Sequence, residues 1–236
     1  MSKAAIAPSF ETFADRDALT EAAAAAIAEG LGRRLQEPGA RARFAASGGS
    51  TPEPVYDRLS RWPLDWSRVD VTLGDERWVA PSSPDSNQRM LQARLLKDAA
   101  AAARLTPLWR PAESLEAAAE LVDAEMAGLL PFDVNLLGMG EDGHFASLFP
   151  GSPALAEGLD LDGQRLCIAV PAGAPAPPQP RISLTLRALI DSCLIILLVT
   201  GDTKRRVLDA ALEGMALPVR ALLAQDRAPV HILWAP

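Results

Sequence analysis

Ala42-Arg43-Phe44-Ala45-Ala46-Ser47-Gly48-Gly49-Ser50-Thr51-Pro52-Glu53-Pro54-Val55-Tyr56-Asp57-Arg58-Leu59 reads as a short strand, a glycine turn and an opening helix. Gly48 and Gly49 let the backbone adopt φ > 0 and come close to a ligand. Thr51 then reads as an N-cap, with Pro52 at the first helical position. The hydroxyls of Ser47, Ser50 and Thr51, together with several amide N–H groups, suit a phosphate, because helix N-termini present free donors there. The same pattern also serves a plain strand-to-helix turn capped by Thr51. It fits neither G-x-x-x-x-G-K-[ST] nor G-x-G-x-x-G, so nothing points to a nucleoside triphosphate or to NAD.

Working outward, the same unit recurs. Strands are predicted at Ala42 to Ala46, Val69 to Leu73, Phe132 to Leu137, Leu166 to Val170, Leu194 to Val199 and Val230 to Trp234. Helices are predicted at Ala18 to Arg34, Pro52 to Leu59, Gln88 to Lys97, Leu115 to Leu130, Thr203 to Leu212 and Val219 to Ala224. The alanine runs at 22–26 and 99–103 add helical propensity and no chemistry. Alternation of this kind specifies an α/β fold with a mostly parallel sheet. The one break in composition is Pro171 to Pro180, with five prolines in ten residues. It reads as an irregular surface loop within a single domain spanning residues 1–236.

Of the 236 residues, 49% are apolar and 22% charged, ordinary values for a globular chain long enough to bury a substantial core. A net charge of −7 argues against nucleic acid as a partner. Apolar runs such as Cys193 to Val199 are far too short to span a membrane, and no signal peptide is read at the start of the chain. Both cysteines, Cys167 and Cys193, sit in apolar runs and read as buried thiols of a reducing compartment, so the expected address is cytoplasmic.

Other strand ends carry chemistry. Gly138-Met139-Gly140-Glu141-Asp142-Gly143-His144 packs three glycines, two carboxylates and one of the two histidines into a single turn. There His144 is a candidate general base, oriented by Asp142 or Glu141. His231, inside a strand, reads as structural. Gly74-Asp75-Glu76-Arg77-Trp78 offers Asp75 and an arginine that reads equally as a partner for a phosphate or developing oxyanion and as half of a surface salt bridge. Gly201-Asp202-Thr203-Lys204 places a cation in a first helical turn, where the macrodipole disfavours it; Lys204 reads either as a cation kept for a ligand's negative charge or as a solvated lysine on an amphipathic helix. Arg181 opens a strand-like run, Arg181 to Leu186. No G-x-S-x-G elbow is present, and the two histidines and two cysteines form no zinc pattern.

Taken together these turns resemble the 6-phosphogluconolactonase family, within the larger group that includes glucosamine-6-phosphate deaminase. The resemblance rests on Ser47–Pro52, Gly74–Arg77, the run from Gly138 through His144-Phe145-Ala146-Ser147-Leu148-Phe149-Pro150-Gly151, Arg181-Ile182-Ser183 and Gly201–Lys204. Deaminases usually continue differently after the histidine and carry Tyr where Arg77 stands; position 145 is more often Thr in lactonases. The resemblance implies a three-layer α/β/α sandwich with a Rossmann-like sheet. It also implies 6-phospho-D-glucono-1,5-lactone as the small-molecule partner, hydrolysed without metal or organic cofactor in the pentose phosphate pathway. His144 would activate water and later return the proton to the ring oxygen. Arg77, or loop N–H groups near Gly48 and Gly49, would stabilise the oxyanion, while Asp75 and Asp142 orient partners or bind sugar hydroxyls. Arg181, Lys204 and the Ser47–Thr51 turn would clamp the phosphate, although which arginine faces which group stays open. Two other functions fit the same residues: a hexosamine-phosphate deaminase or isomerase using Asp75 as base, and a sugar-phosphate sensor without catalysis.

Overall fold

In the computed structural model, residues 7–173 and 178–236 are described, so part of the proline-rich loop, Ala174 to Pro177, lies outside the described residues. The first half of the chain forms β1 (Ser9–Thr12), α1 (Arg16–Leu35), β2 (Ala42–Ala46), α2 (Glu53–Leu59), β3 (Val69–Leu73), β4 (Asp75–Arg77), α3 (Asn87–Arg94) and β5 (Arg104–Leu105). Then come α4 (Leu115–Met126), β6 (Val134–Gly138), α5 (Leu155–Leu159), β7 (Cys167–Val170), β8 (Arg181–Leu184) and α6 (Leu186–Leu189). The chain closes with β9 (Ile195–Thr200), α7 (Asp202–Leu212), α8 (Pro218–Ala224) and β10 (Val230–Ala235).

Seven strands form one sheet in the order β1-β10-β9-β6-β2-β3-β5, and every neighbouring pair is parallel. Its central strands are buried on both faces; β9 reads accordingly as a continuous apolar run, whereas β3 buries Asp70 and Thr72 with hydrogen-bond partners. Right-handed crossovers decide where the helices go. Moving from β1 to β2 to β3 to β5 puts α1, α2 and α3 on one face; the return through β6, β9 and β10 puts α4 to α8 on the other. The expected three layers follow from that reversal. Among the described residues no helix is long and apolar enough to cross a membrane.

Several expectations need correction. The strand at Leu166 to Val170 does not join the parallel sheet. As β7 it pairs antiparallel with β8, and β8 pairs antiparallel with β4, in a separate three-stranded sheet. A parallel neighbour would need a crossover of about a dozen residues or more, and only ten residues join β7 to β8. Asp75 to Arg77, read as a turn, is itself strand β4. Gly74 is the hinge between the sheets: its N–H donates to Ala46 O at 2.8 Å and its carbonyl accepts from Leu184 N at 2.9 Å.

Thr51 is not an N-cap. The helix starts at Glu53 with no side-chain cap bond, and Pro54, at the second helical position, has no N–H for a cap to receive. The alanine run at 99–103 forms a short 3-10 turn, Asp98–Ala102, rather than α-helix. Cys193 is exposed, because the strand begins two residues later, whereas Cys167 is buried. The edge strand β1 escaped notice because all four of its residues are exposed, leaving no apolar pattern. His231 has the structural place expected of it, 3.4 Å from Glu11 across the β1–β10 pair.

Candidate active site

The chain leaves β2 toward β3 and β5, but leaves the adjacent β6 toward β9 and β10. At such a switch point the loops beyond the strand ends diverge and open a crevice. A cleft of about 260 Å³ lies there, walled by the turns after β2, β3, β6 and β9. Ser47, Gly48, Gly49, Ser50, Thr51, Asp75, Arg77, His144, Arg181 and Lys204 all line it. Asp142 does not line it; its carboxylate holds His144.

His144 hangs from a tight turn in which Gly140 N–H donates to His144 O at 2.9 Å and Gly143 has φ +78°. A side chain at Gly140 would lie 2.2 Å from the imidazole, so this position admits only glycine while the ring stays where it is. Asp142 Oδ1 is 2.5 Å from His144 Nδ1 and also accepts the His144 N–H at 3.2 Å. Partial burial pushes the Asp142 carboxyl up, but the hydrogen bond and charge of His144 outweigh it and hold the group below its ordinary value. An ionised carboxylate only accepts, so Nδ1 carries the proton and Nε2 keeps the basic lone pair. The imidazole also packs on Phe149, with ring centroids 4.4 Å apart.

The cationic wall comes from the second sheet. Arg77 and Arg181 are directly paired in the β4–β8 ladder. Arg77 Nη1 donates to Asp85 O at 2.5 Å, and Arg181 Nη1 lies 3.5 Å from Asp75 Oδ2. Each has a buried Nε with no partner among the described residues. Burial lowers the proton affinity of Arg181, Asp75 opposes this, and the charge of Arg77 lowers it further. The guanidinium of Arg181 stands 5.4 Å from the centroid of Phe149, so one ring touches both His144 and Arg181. Two opposed like charges destabilise a ladder unless an anion sits between or beside them. Lys204 reaches the cleft, half-buried, from the first turn of α7.

Asp75 is buried, and its Oδ2 also accepts from Ser147 Oγ at 2.5 Å. Its neighbour Glu76 points away: fully buried, it accepts from the N–H groups of Arg77, Asn87 and Gln88 and from Ser86 Oγ, and so closes the N-terminus of α3.

Three contributors escaped the sequence reading. Tyr56 bridges the first residue of the glycine turn: its hydroxyl accepts from Ser47 N at 2.9 Å and donates to Ser47 O at 2.7 Å. Asn87 lines the cleft beside Gly48. Phe149 spans His144 and Arg181. Being the chain's only tyrosine was a faint signal for Tyr56, and Phe149 lay in the run that carries the resemblance without a role of its own; Asn87 carried no signal.

Residues 14–234 match the family described as glucosamine-6-phosphate isomerases/6-phosphogluconolactonase. A 6-phosphogluconolactonase of Caulobacter vibrioides is 47% identical over 225 residues, covering 95% of this chain and 96% of that protein. One of Mesorhizobium japonicum is 43% identical, covering 96% and 95%. The crystal structure of a 6-phosphogluconolactonase from Shewanella baltica superposes with a TM-score of 0.91 at 36% identity, covering 98% of this chain and all (100%) of that one. On the family match, and on relatives this similar along nearly their whole length, the chain belongs to the glucosamine-6-phosphate isomerase/6-phosphogluconolactonase family.

Proposed function

We propose that this chain hydrolyses 6-phospho-D-glucono-1,5-lactone to 6-phosphogluconate, a step of the pentose phosphate pathway, with His144 as the base that activates water. The observation that carries this reading is the Asp142–His144 pair at the edge of a cleft lined by three cations, Arg77, Arg181 and Lys204. The lactone brings an ester carbonyl and a phosphate, which call for a base, an oxyanion site and an anion anchor.

Nε2 of His144 takes a proton from water as its oxygen attacks C1. The carbonyl oxygen becomes an oxyanion, and collapse of the tetrahedral intermediate breaks the bond from C1 to the ring oxygen. The imidazolium then returns the proton to that leaving oxygen. Asp142 holds the productive tautomer throughout and balances the imidazolium charge. Because Phe149 joins Arg181 to His144, the arginine pair serves the oxyanion beside the base. Lys204 and the Ser47–Thr51 turn are left for the phosphate; Ser47 Oγ is a buried hydroxyl without a partner among the described residues. One buried core running from α1 to β10 supports reading the chain as a single catalytic domain.

The deciding experiment compares two substrates. Purified protein accelerates loss of 6-phosphogluconolactone above the spontaneous rate at mildly acidic pH and releases no ammonia from glucosamine-6-phosphate. Ammonia release without lactone acceleration would reverse the assignment, and neither activity would favour a sensor.

A further inference from the structure

We propose that Asn87 is a specificity residue whose side-chain oxygen accepts a hydrogen bond from a ring hydroxyl of the sugar lactone. The inference deepens the lactonase reading and rests on it. Asn87 is 3% exposed, and the cleft is where it comes to the surface. Its Nδ2 donates to Asp75 O at 3.0 Å. A carbonyl only accepts, so that bond fixes which end of the amide is nitrogen and leaves Oδ1 as the free acceptor. Oδ1 receives no protein donor among the described residues, yet it is not one of their sealed, unpartnered buried atoms, so it meets the cleft.

Two further contacts hold the amide in place. The backbone N–H of Asn87 donates to the buried Glu76 carboxylate at 2.7 Å, which locks the start of α3 to β4. On its other side the amide lies over Gly48, where a Cβ would come within 2.2 Å of Oδ1. Glycine at position 48 is therefore what admits the Asn87 amide to the ligand space. Arg77, Arg181 and Lys204 offer donors only, and a phosphate dianion offers acceptors only. A hydroxyl that donates needs an acceptor in the wall. Asp75 Oδ2 is already taken by Ser147 and Arg181, and Asp75 Oδ1, the other acceptor at the cleft, belongs to a charged group that repels an anionic substrate. Asn87 supplies a neutral acceptor that adds no repulsion to an anionic substrate.

The test measures kcat/KM on 6-phosphogluconolactone and on its 2-, 3- and 4-deoxy analogues, for wild type and for Asn87→Ala. A neutral hydrogen bond of ordinary strength corresponds to roughly three- to tenfold. Wild type should lose that factor on one analogue beyond the other two. Asn87→Ala should lose the same factor on the parent lactone and nothing more on that analogue. Equal loss by Asn87→Ala on all four lactones, or no loss, overturns the proposal. Wild type alone also decides it, whether or not the variant folds, because equal rates on the three analogues overturn it. Absence of any acceleration of the parent lactone by wild type overturns the lactonase reading together with this one; acceleration without discrimination overturns only this one.

Discussion

Arg77 and Arg181 face each other as a register pair across the β4–β8 ladder, and each keeps a buried Nε without a partner among the described residues. Two residues that serve one anion are not independent. Arg77→Met and Arg181→Met should each lower kcat/KM by about ten- to a hundredfold, the range of a charge-assisted bond. The double variant should lose clearly less than the product of the two. Because the pair is assigned to the oxyanion, the losses should appear on unphosphorylated gluconolactone as well. Strictly multiplicative losses, confined to the phosphorylated substrate, would move the pair to the phosphate and separate its members.

Lys204 gives the opposite pattern. Lys204→Ala should cost roughly ten- to a hundredfold in kcat/KM on the phosphorylated lactone and little on gluconolactone, which has no phosphate to hold. Equal losses on both substrates would remove Lys204 from phosphate recognition.

His144→Ala should lower kcat by about two to four orders of magnitude with little change in KM, the usual contribution of a general base. Wild-type turnover by a folded variant would take His144 out of the chemistry.

Asp142→Asn keeps the shape but presents an amide to Nδ1 and favours the wrong tautomer, so kcat should fall by at least about a hundredfold. A stability effect accompanies it, and its sign is set by the depressed carboxyl. Such a group stabilises the fold above its unfolded value, about 3.9, and that contribution disappears as pH falls through the lower folded value. The effect is small, since the Asp142 side chain is 46% exposed. Thermal melts of wild type and variant should therefore differ at neutral pH and converge as the pH falls below the ordinary carboxylate range; a gap that widens on acidification would contradict the assigned direction.

Tyr56→Phe removes the hydroxyl that bridges the N–H and carbonyl of Ser47. A buried N–H left without an acceptor costs roughly 1–3 kcal/mol. At this chain length that lowers Tm by about 2–4 °C per kcal/mol. Because Ser47 starts the turn assigned to phosphate, KM for the phosphorylated lactone should rise more than that for gluconolactone. An unchanged Tm would mean the bridge carries no weight.

The sequence alone determined the features that depend on near neighbours. The strands predicted at Ala42–Ala46 and Val69–Leu73 match β2 and β3 residue for residue, and the glycine turns beyond the strand ends all lie at the cleft. Strand period and glycine freedom act within a few residues, so they are legible in one dimension. Only the tertiary structure decided the rest. Asp75 and Glu76 look alike in sequence, but alternation along β4 sends one to the cleft and the other to the N-terminus of α3. The opposition of Arg77 and Arg181 is a matter of register between strands far apart in the chain. Phe149 joins His144 to Arg181, and Asn87 lies over Gly48, through contacts between segments that no local pattern relates. Such contacts form only when the sheet closes, because cross-strand register and packing depend on the whole chain rather than on the residues beside them.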